Sequence, residues 1–105
     1  MIGDNLDSVL IEGVSVGGYI CSSDCLLFTL ESTRHGEGRT RSVHLWIRLA
    51  SETAPGVDLS SLAASLVPGR GVRVLGAIED LGPGFGIGIE AERVELRPQA
   101  KGEGK

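Results

Sequence analysis

The chain has 105 residues, a formal net charge of −4 and a hydrophobic fraction of 41%. This length supports one domain with its own core, and no apolar run approaches the length of a membrane span. The sixteen glycines fall at turns without a period, which excludes a collagen-like chain or a flexible linker. The first eight residues, MIGDNLDS, lack the basic start and apolar centre of a signal peptide, so we expect a cytoplasmic protein.

Three strand-like segments occupy the first half of the chain. The first is Ser8 to Gly13, followed by a glycine-rich stretch, and the second is Cys25 to Ser32. A loop with Gly36 and Gly38 precedes the third, Val43 to Leu49, which has the clearest alternation. One face of this third strand carries Val43, Leu45, Ile47 and Leu49, and the other carries His44, Trp46 and Arg48.

The only convincing helix spans residues 58 to 69, DLSSLAASLVPG. Asp58 is a suitable N-cap because its carboxylate accepts the free N–H groups of the first turn. Apolar residues then recur at helical spacing, and Pro68-Gly69 ends the run. The apolar residues are Leu59, Leu62, Ala63 and Leu66.

Two further strands follow the helix, Gly71 to Glu79 and Gly86 to Leu96. The apolar alternation of the last strand changes phase near Glu92-Arg93, which predicts a β-bulge. Five short strands with one helix between the third and fourth are the element order of an all-β OB-fold barrel. This scaffold commonly binds single strands of nucleic acid. We expect this domain to span residues 1–98 and a disordered polar tail to span residues 99–105.

The charge is distributed unevenly. Residues 1 to 33 carry five acids and no Lys or Arg, whereas residues 34 to 48 carry four arginines, Trp46 and both histidines against one acid, Glu37. Positive charge to follow a phosphate backbone, together with a flat ring for a base, is what a single-strand groove requires. The alternative is a solvated basic loop with Trp46 in the core or an interface.

We therefore predict a nucleic-acid site made of arginines and aromatic rings. The candidates for phosphate contact are Arg34, Arg39, Arg41, Arg73 and Arg48. Trp46 and Phe85 are the candidates for base stacking, whereas Phe28 is assigned to the core. Cys21 and Cys25 cannot complete a zinc site by themselves, so we predict no metal and no cofactor.

Several segments, in order, resemble the bacterial single-stranded-DNA-binding protein family. They are SVLIEG at 8–13, FTLEST at 28–33, VHLWIRLA at 43–50, LVPGRGVRVLG at 66–76 and IEAERVELRP at 89–98. The resemblance implies an OB-fold, a homo-oligomer associating through the first strand, and a position for His44 near the subunit contact. It also implies that DNA lies on the Val43 face of the third strand.

The chain departs from this family where the family has DNA-facing aromatics. The corresponding stretches hold Arg34 and His35, Val43, Leu49, and Glu79-Asp80, none of which is aromatic. The hairpin after the fourth strand is reduced to DLGPGFGIG, and the acidic tail with an apolar tip is replaced by KGEGK. The chain resembles a divergent, tail-less member, with the short primosomal replication protein N class as a relative.

Two functions follow as hypotheses. The first is single-stranded DNA binding in replication, repair or recombination by a cytoplasmic, nucleoid-associated bacterial homo-oligomer, either a dimer or a tetramer. The second is an accessory or primosome-type subunit that acts through contacts with replication or repair proteins. An enzyme is not expected, because no Cys-His or Ser-His-Asp arrangement is suggested and GPGFGIG does not lead into a helix.

Overall fold

Five strands close into a barrel in the order β1-β2-β3-β5-β4. The computed structural model describes residues 8–36 and 38–98, and only the backbone at positions 34–36. The elements are β1 Ser8–Cys21, β2 Cys25–Gly36, β3 Arg39–Ala50, α1 Leu59–Ser65, β4 Gly71–Asp80 and β5 Ile87–Leu96. This arrangement confirms the predicted OB-fold barrel with one helix between the third and fourth strands. No helix in the described ranges is long and apolar enough to cross a membrane.

The barrel interior is filled by one side of each strand, as the alternation predicts. Phe28 is completely buried, which confirms its assignment to the core. Burial of a side chain of this size contributes about 1.5–3 kcal/mol. The buried cluster consists of Leu26, Phe28, Leu30, Ile47, Leu49, Val72, Val74, Ile89 and Ala91 from the strands, and Leu59, Ala63 and Leu66 at the helix.

Helix α1 begins at the predicted cap but ends earlier than predicted. The Asp58 carboxylate accepts hydrogen bonds from the backbone N–H groups of Ser60 and Ser61. Hydrogen bonds from the Ser61 hydroxyl and N–H, and then from the Ser60 hydroxyl, lower the pKa of Asp58 below its ordinary value. The helix stops at Ser65, because the buried Ser15 hydroxyl donates to the Leu66 carbonyl at 3.0 Å and ties the helix exit to β1.

The first strand extends further than the sequence indicated. The prediction that it ends at Gly13 is wrong, since β1 continues to Cys21. Its pairing register with β2 shifts between Ser15 and Tyr19. Gly17 and Gly18 lie in this shift with φ angles of +88° and +76°, a conformation that glycine adopts at low cost. The glycine-rich stretch therefore belongs to β1, where the glycines bend the strand.

The second and third strands also extend further, and the predicted loop between them is nearly absent. Their ladder runs from Cys25 paired with Ala50 to Gly36 paired with Arg39. The predicted limits at Ser32 and Val43 were therefore wrong, because a long continuous ladder pairs the polar residues between them. As a result, the candidate arginines of this region lie on strands.

The predicted bulge in the last strand is confirmed. Leu75 of β4 pairs with Arg93, whereas the next residue, Gly76, pairs with Ala91, so Glu92 is the additional residue. An additional residue bends the strand and increases its twist, which lets a short sheet close on itself. The starting residue of β5 is Ile87, one residue after the predicted Gly86, and β4 ends at Asp80, one residue after the predicted Glu79.

Three glycines lie where two backbones nearly touch. A Cβ atom at Gly13 would collide with the Glu31 carbonyl oxygen, and one at Gly76 with the Glu90 carbonyl oxygen. A Cβ atom at Gly88 would collide with the Trp46 carbonyl oxygen and lie 2.7 Å from a Leu81 methyl group. Only glycine therefore permits these approaches, and Gly88 does so where β5 meets β3.

Replacing Gly88 with alanine is expected to lower the free energy of unfolding by about 1–3 kcal/mol, because the added methyl group forces the β3 and β5 backbones apart. Urea denaturation followed by Trp46 fluorescence measures this loss. Gly18→Ala is the control, since that position has open space and only the strain of a positive φ. An equal or smaller loss for Gly88→Ala than for Gly18→Ala would contradict the close-approach argument.

Candidate nucleic-acid interface

The β2–β3 sheet has two faces, and the structure separates the predicted site residues between them. Ile47 and Leu49 point into the core. Arg39, Arg41 and Val43 continue this same alternation on β3, beyond the end of the barrel. Trp46, Arg48 and His44 lie on the opposite, outward face. The alternation predicted from the sequence is thus confirmed, and the two halves of the predicted site do not meet.

The core-side face carries the basic part of the site. We call residues 34–36 and 38–41, where β2 and β3 pair beyond the barrel, the basic hairpin; the backbone of Arg34 is directly paired with that of Arg41 there. Arg39 and Arg41 are exposed and make no ion pair with any residue of the described ranges. Like charges at opposed positions destabilise a strand pair. The hairpin therefore presents positive charge that a bound anion would neutralise.

Exposed aliphatic side chains lie next to the basic hairpin. Val43 is 49% exposed, Ile78 of β4 is 60% exposed and Ile87 of β5 is 62% exposed. All three lie on the core-side face of their strands, because each follows the alternation of a buried residue: Ile47, Val74 and Ile89. They remain exposed because β3 and the β4–β5 hairpin extend past the barrel end. We call these three residues the aliphatic strip.

The outward face holds both predicted stacking residues in one contact. The rings of Trp46 and Phe85 meet edge to face, with centroids 4.9 Å apart and an interplanar angle of 88°. Both rings are only partly buried. Such a pair contributes about 0.5–1.5 kcal/mol beyond the area it buries. Phe85 thus covers part of the surface of the Trp46 ring.

A tight glycine turn positions Phe85. The N–H groups of Phe85 and Gly86 both donate to the Gly82 carbonyl at 3.1 Å, and the Gly82 N–H donates to the Asp80 carboxylate at 2.9 Å. Gly82, Gly84 and Gly86 all have positive φ angles. This confirms that GPGFGIG forms a hairpin turn between strands, as the sequence predicts.

Two other outward residues have acidic partners. The Nε atom of Arg48 donates to the Glu90 carboxylate at 2.6 Å, on the neighbouring strand β5. His44 lies 3.6 Å from the Glu31 carboxylate across the β2–β3 pair. These contacts place negative charge beside both basic groups. The outward face therefore offers a phosphate group less uncompensated positive charge than the basic hairpin does.

Arg73 lies on a third surface, the outward side of β1, β4 and β5. Its Nε atom donates to the Glu12 carboxylate at 2.8 Å, and its Nη1 atom lies 3.9 Å from the Glu95 carboxylate. Glu12 also pairs with Arg97 at 3.2 Å. The structure therefore does not bring Arg73 together with the basic hairpin.

The sequence interpretation missed the aliphatic strip as a surface feature. Ile78 and Ile87 occupy alternating apolar positions of their strands. Their exposure could not be read from that alternation, because it depends on where the barrel ends. Both isoleucines lie within a few residues of the turn at Asp80 to Gly86, but this proximity does not by itself give their exposure.

Metal ligation has no support in the described residues. No group of three or more His, Cys, Asp or Glu side chains within residues 8–36 and 38–98 is placed to hold a metal ion. Cys21 and Cys25 are free thiols at the two ends of the β1–β2 turn. Cys21 packs against the barrel core.

Comparison with known proteins supports the fold. No protein-family model and no curated protein matches the sequence. The structure is similar to a small single-stranded DNA-binding protein from Streptomyces coelicolor, with a TM-score of 0.66 and 14% identity over 86% of this chain and 91% of that one. It is also similar to a small single-stranded DNA-binding protein from Mycoplasma pneumoniae, with a TM-score of 0.59 and 14% identity over 90% of this chain and 97% of that one.

A third similar structure is the dimeric N-terminal domain of the PriB protein from Thermoanaerobacter tencongensis. Its TM-score is 0.63 at 17% identity, over 90% of this chain and 99% of that one. The resemblance inferred from the sequence is thus confirmed at the level of the fold. Function at these identities has to be argued from the residues of this chain.

Replacing Phe85 with alanine is expected to shift Trp46 emission to longer wavelength and to raise its acrylamide quenching, because the edge-to-face contact shields one side of the indole. The chain has one tryptophan, so the signal comes from this ring alone. Ile87→Ala is the control, since Ile87 is exposed on the other side of its strand. Identical emission for wild type and Phe85→Ala would contradict the contact.

Proposed function

We propose that this protein binds single-stranded DNA across the core-side face of its basic hairpin. The observation that carries the proposal is that Arg39 and Arg41 are exposed on β3 without an ion pair among the described residues, where the backbone of Arg34 pairs with that of Arg41. A polyanion offsets the positive charge of exposed arginines and gains charge-assisted hydrogen bonds from their guanidinium groups. The fold, shared with proteins described as single-stranded DNA-binding, adds support.

The net charge of −4 does not oppose this proposal. The attraction of a DNA strand depends on the charges near its binding surface. More distant charges are largely screened, because the Debye length is about 8 Å at physiological ionic strength. Three acids of the outward faces have arginine partners: Glu90 pairs with Arg48, and Glu12 and Glu95 pair with Arg73. On the hairpin, Arg39 and Arg41 are exposed and have no ion pair among the described residues, so this surface can attract a strand of DNA locally.

Of the residues predicted for this site, Arg34, Arg39 and Arg41 carry the phosphate contacts of the proposal. Arg48 and Arg73 are held in ion pairs elsewhere, and Trp46 is covered on one side by Phe85. These three residues enter the proposal only through secondary contacts at the margins of the bound strand. The order of importance thus differs from the sequence prediction, which gave Arg73 equal weight.

We further propose that the protein is a homo-oligomer. Residues 8–13 of β1 pair with β4 on one side, and within the described ranges no strand pairs with their other edge. Leu10 is 58% exposed there and lines a groove of about 260 Å³ with Leu75, Arg73 and Arg93. An open edge beside a mixed-charge apolar surface suits a self-complementary two-fold contact. His44, predicted near the subunit contact, lies on the outward face of the β2–β3 pair instead.

The second candidate function is an accessory subunit that acts mainly through protein contacts. The exposed Leu10 surface favours this candidate because it offers a site for a protein contact. The contact of Phe85 with Trp46 also favours it, because it leaves less of the Trp46 ring for base stacking. Similarity to the PriB domain is compatible with this candidate. Absence of DNA binding at low salt would favour it over the first.

We propose that the protein acts in replication, repair or recombination, in a bacterial cytoplasm and at the nucleoid. In this proposal the protein has no catalytic activity of its own. The proposed binding needs no bond to be made or broken, and the described residues offer no metal-binding cluster. The proposed domain spans residues 1–98. The predicted tail at 99–105 lies outside the described residues.

Salt dependence tests the hairpin site. Three phosphate contacts at a slope of about −0.7 each predict that affinity for oligo-dT falls about twentyfold between about 50 and 200 mM salt. Arg39→Gln or Arg41→Gln is expected to reduce the slope to about −1.4 and the fall to about sevenfold. Fluorescence anisotropy of labelled oligo-dT, titrated at each salt concentration, measures both quantities.

Arg70→Gln is the matched control, because it removes the same charge outside the hairpin, from a side chain whose Nε atom donates to the Arg97 carbonyl. Its slope should equal that of the wild type. An equal change for all three variants would show that total charge, and not the hairpin, sets the affinity. No binding of the wild type at low salt would overturn the proposed function.

Replacing Leu10 with glutamate is expected to weaken self-association by about tenfold or more, because an unpaired charge would be buried in the contact. Sedimentation equilibrium should then give the monomer mass of 11.0 kDa where the wild type gives a multiple of it. Val57→Glu is the control, since Val57 is 46% exposed in the loop before α1. A wild type of monomer mass would refute the oligomer.

A further inference from the structure

The aliphatic strip has no role in the phosphate contacts, although it lies directly beside them. Val43, Ile78 and Ile87 are each about half exposed or more, on three adjacent strands. Leu10, which we assign to self-association, lies on the outward side of the barrel instead. The strip is therefore an apolar surface separate from the proposed subunit contact.

The charges around the strip select the kind of ligand that covers it. On β3 the strip continues into Arg41 and Arg39, which have no ion pair among the described residues. Asp80 is the one carboxylate in line with Ile78 on β4, and one of its oxygens accepts the Gly82 N–H. A ligand that covers the aliphatic strip and also contacts Arg39 and Arg41 is an anion with apolar groups at a short distance from its charges. A nucleic-acid strand has this chemistry.

The side chains of the strip determine what they contact on a base. Phosphate contacts carry no sequence information, so the arginines do not discriminate between bases. Aliphatic side chains have no π-face and gain mainly from burying apolar groups. The one apolar substituent at the edge of a standard base is the C5-methyl group of thymine. Such a surface therefore favours thymine over uracil, which lacks only this methyl group.

We propose that Val43 and Ile87, with Ile78 beside them, bind the C5-methyl group of thymine and make the protein prefer thymine-containing strands to uracil-containing ones. This inference rests on the proposed single-strand binding and specifies its ligand. Burial of one methyl-sized apolar group corresponds to about a fourfold change in affinity. The preference is accordingly modest for each thymine contacted.

The test compares oligo-dT with oligo-dU of equal length, since both have deoxyribose and differ only in the C5-methyl group. We expect the wild type to bind oligo-dT about fourfold more tightly in anisotropy titrations at fixed salt. Val43→Ala/Ile87→Ala is expected to bring the ratio near one and to leave the salt slope unchanged. Ile20→Ala is the matched control, because Ile20 is 51% exposed on the outward face and should keep the wild-type ratio.

Each outcome has a distinct meaning. Equal affinities of the wild type for oligo-dT and oligo-dU overturn this inference and leave the proposed function standing. A preference that persists in the double variant also overturns it, because the methyl group is then bound elsewhere. If the wild type binds neither oligo-dT nor oligo-dU, the proposed function itself is wrong. If the double variant unfolds, as Trp46 emission would reveal, the single variants Val43→Ala and Ile78→Ala provide the same comparison.

A second copy of this chain is the competing occupant of the strip. If it covered the strip, Val43→Ala/Ile87→Ala would lower the mass in sedimentation equilibrium and leave the ratio of oligo-dT to oligo-dU affinities unchanged. That result would overturn the inference. An unchanged mass with a lost thymine preference would support it.

Discussion

The structure depends on the contact between β3 and β5, because it is the contact that closes the barrel. The Gly88 backbone passes so close to the Trp46 carbonyl oxygen that a side chain would not fit. Only there do the parallel pairs Ile47–Ile89 and Arg48–Glu90 form. Without this closure, β1 would still join β2–β3 to β4–β5, but as an open sheet, and Ile47, Leu49 and Ile89 would lose their common core.

The same closure determines which surfaces remain for binding. Because β3 and β5 run parallel, the basic hairpin and the β4–β5 turn extend from the same end of the barrel. Arginines from one hairpin and isoleucines from the other then lie on one face. Had the two hairpins extended from opposite ends, neither would provide both the charge and the apolar area that a single strand requires.

Compensation of charge separates this face from the rest of the molecule. Arg48, Arg73, Arg93 and Arg97 all have glutamate partners within 4 Å, whereas the exposed arginines of the hairpin have none among the described residues. Exposed pairs of this kind contribute at most about 1 kcal/mol each to stability. Their larger effect is on the electrostatic field, since each pair cancels the charge of one arginine, whereas Arg39 and Arg41 have no such partner among the described residues.

The sequence alone determined the order of elements, the helix cap at Asp58, the bulge at Glu92 and the two faces of β3. These features follow from local rules: a period of two along a strand, a polar cap before a helix, and a phase change where a residue is added. Tertiary structure alone decided that Gly17 and Gly18 bend a strand, that the arginines are paired across strands, and that Phe85 contacts Trp46. It also decided that Ile78 and Ile87 are exposed, because exposure depends on how far each strand extends past the closed barrel, and no local pattern records that distance.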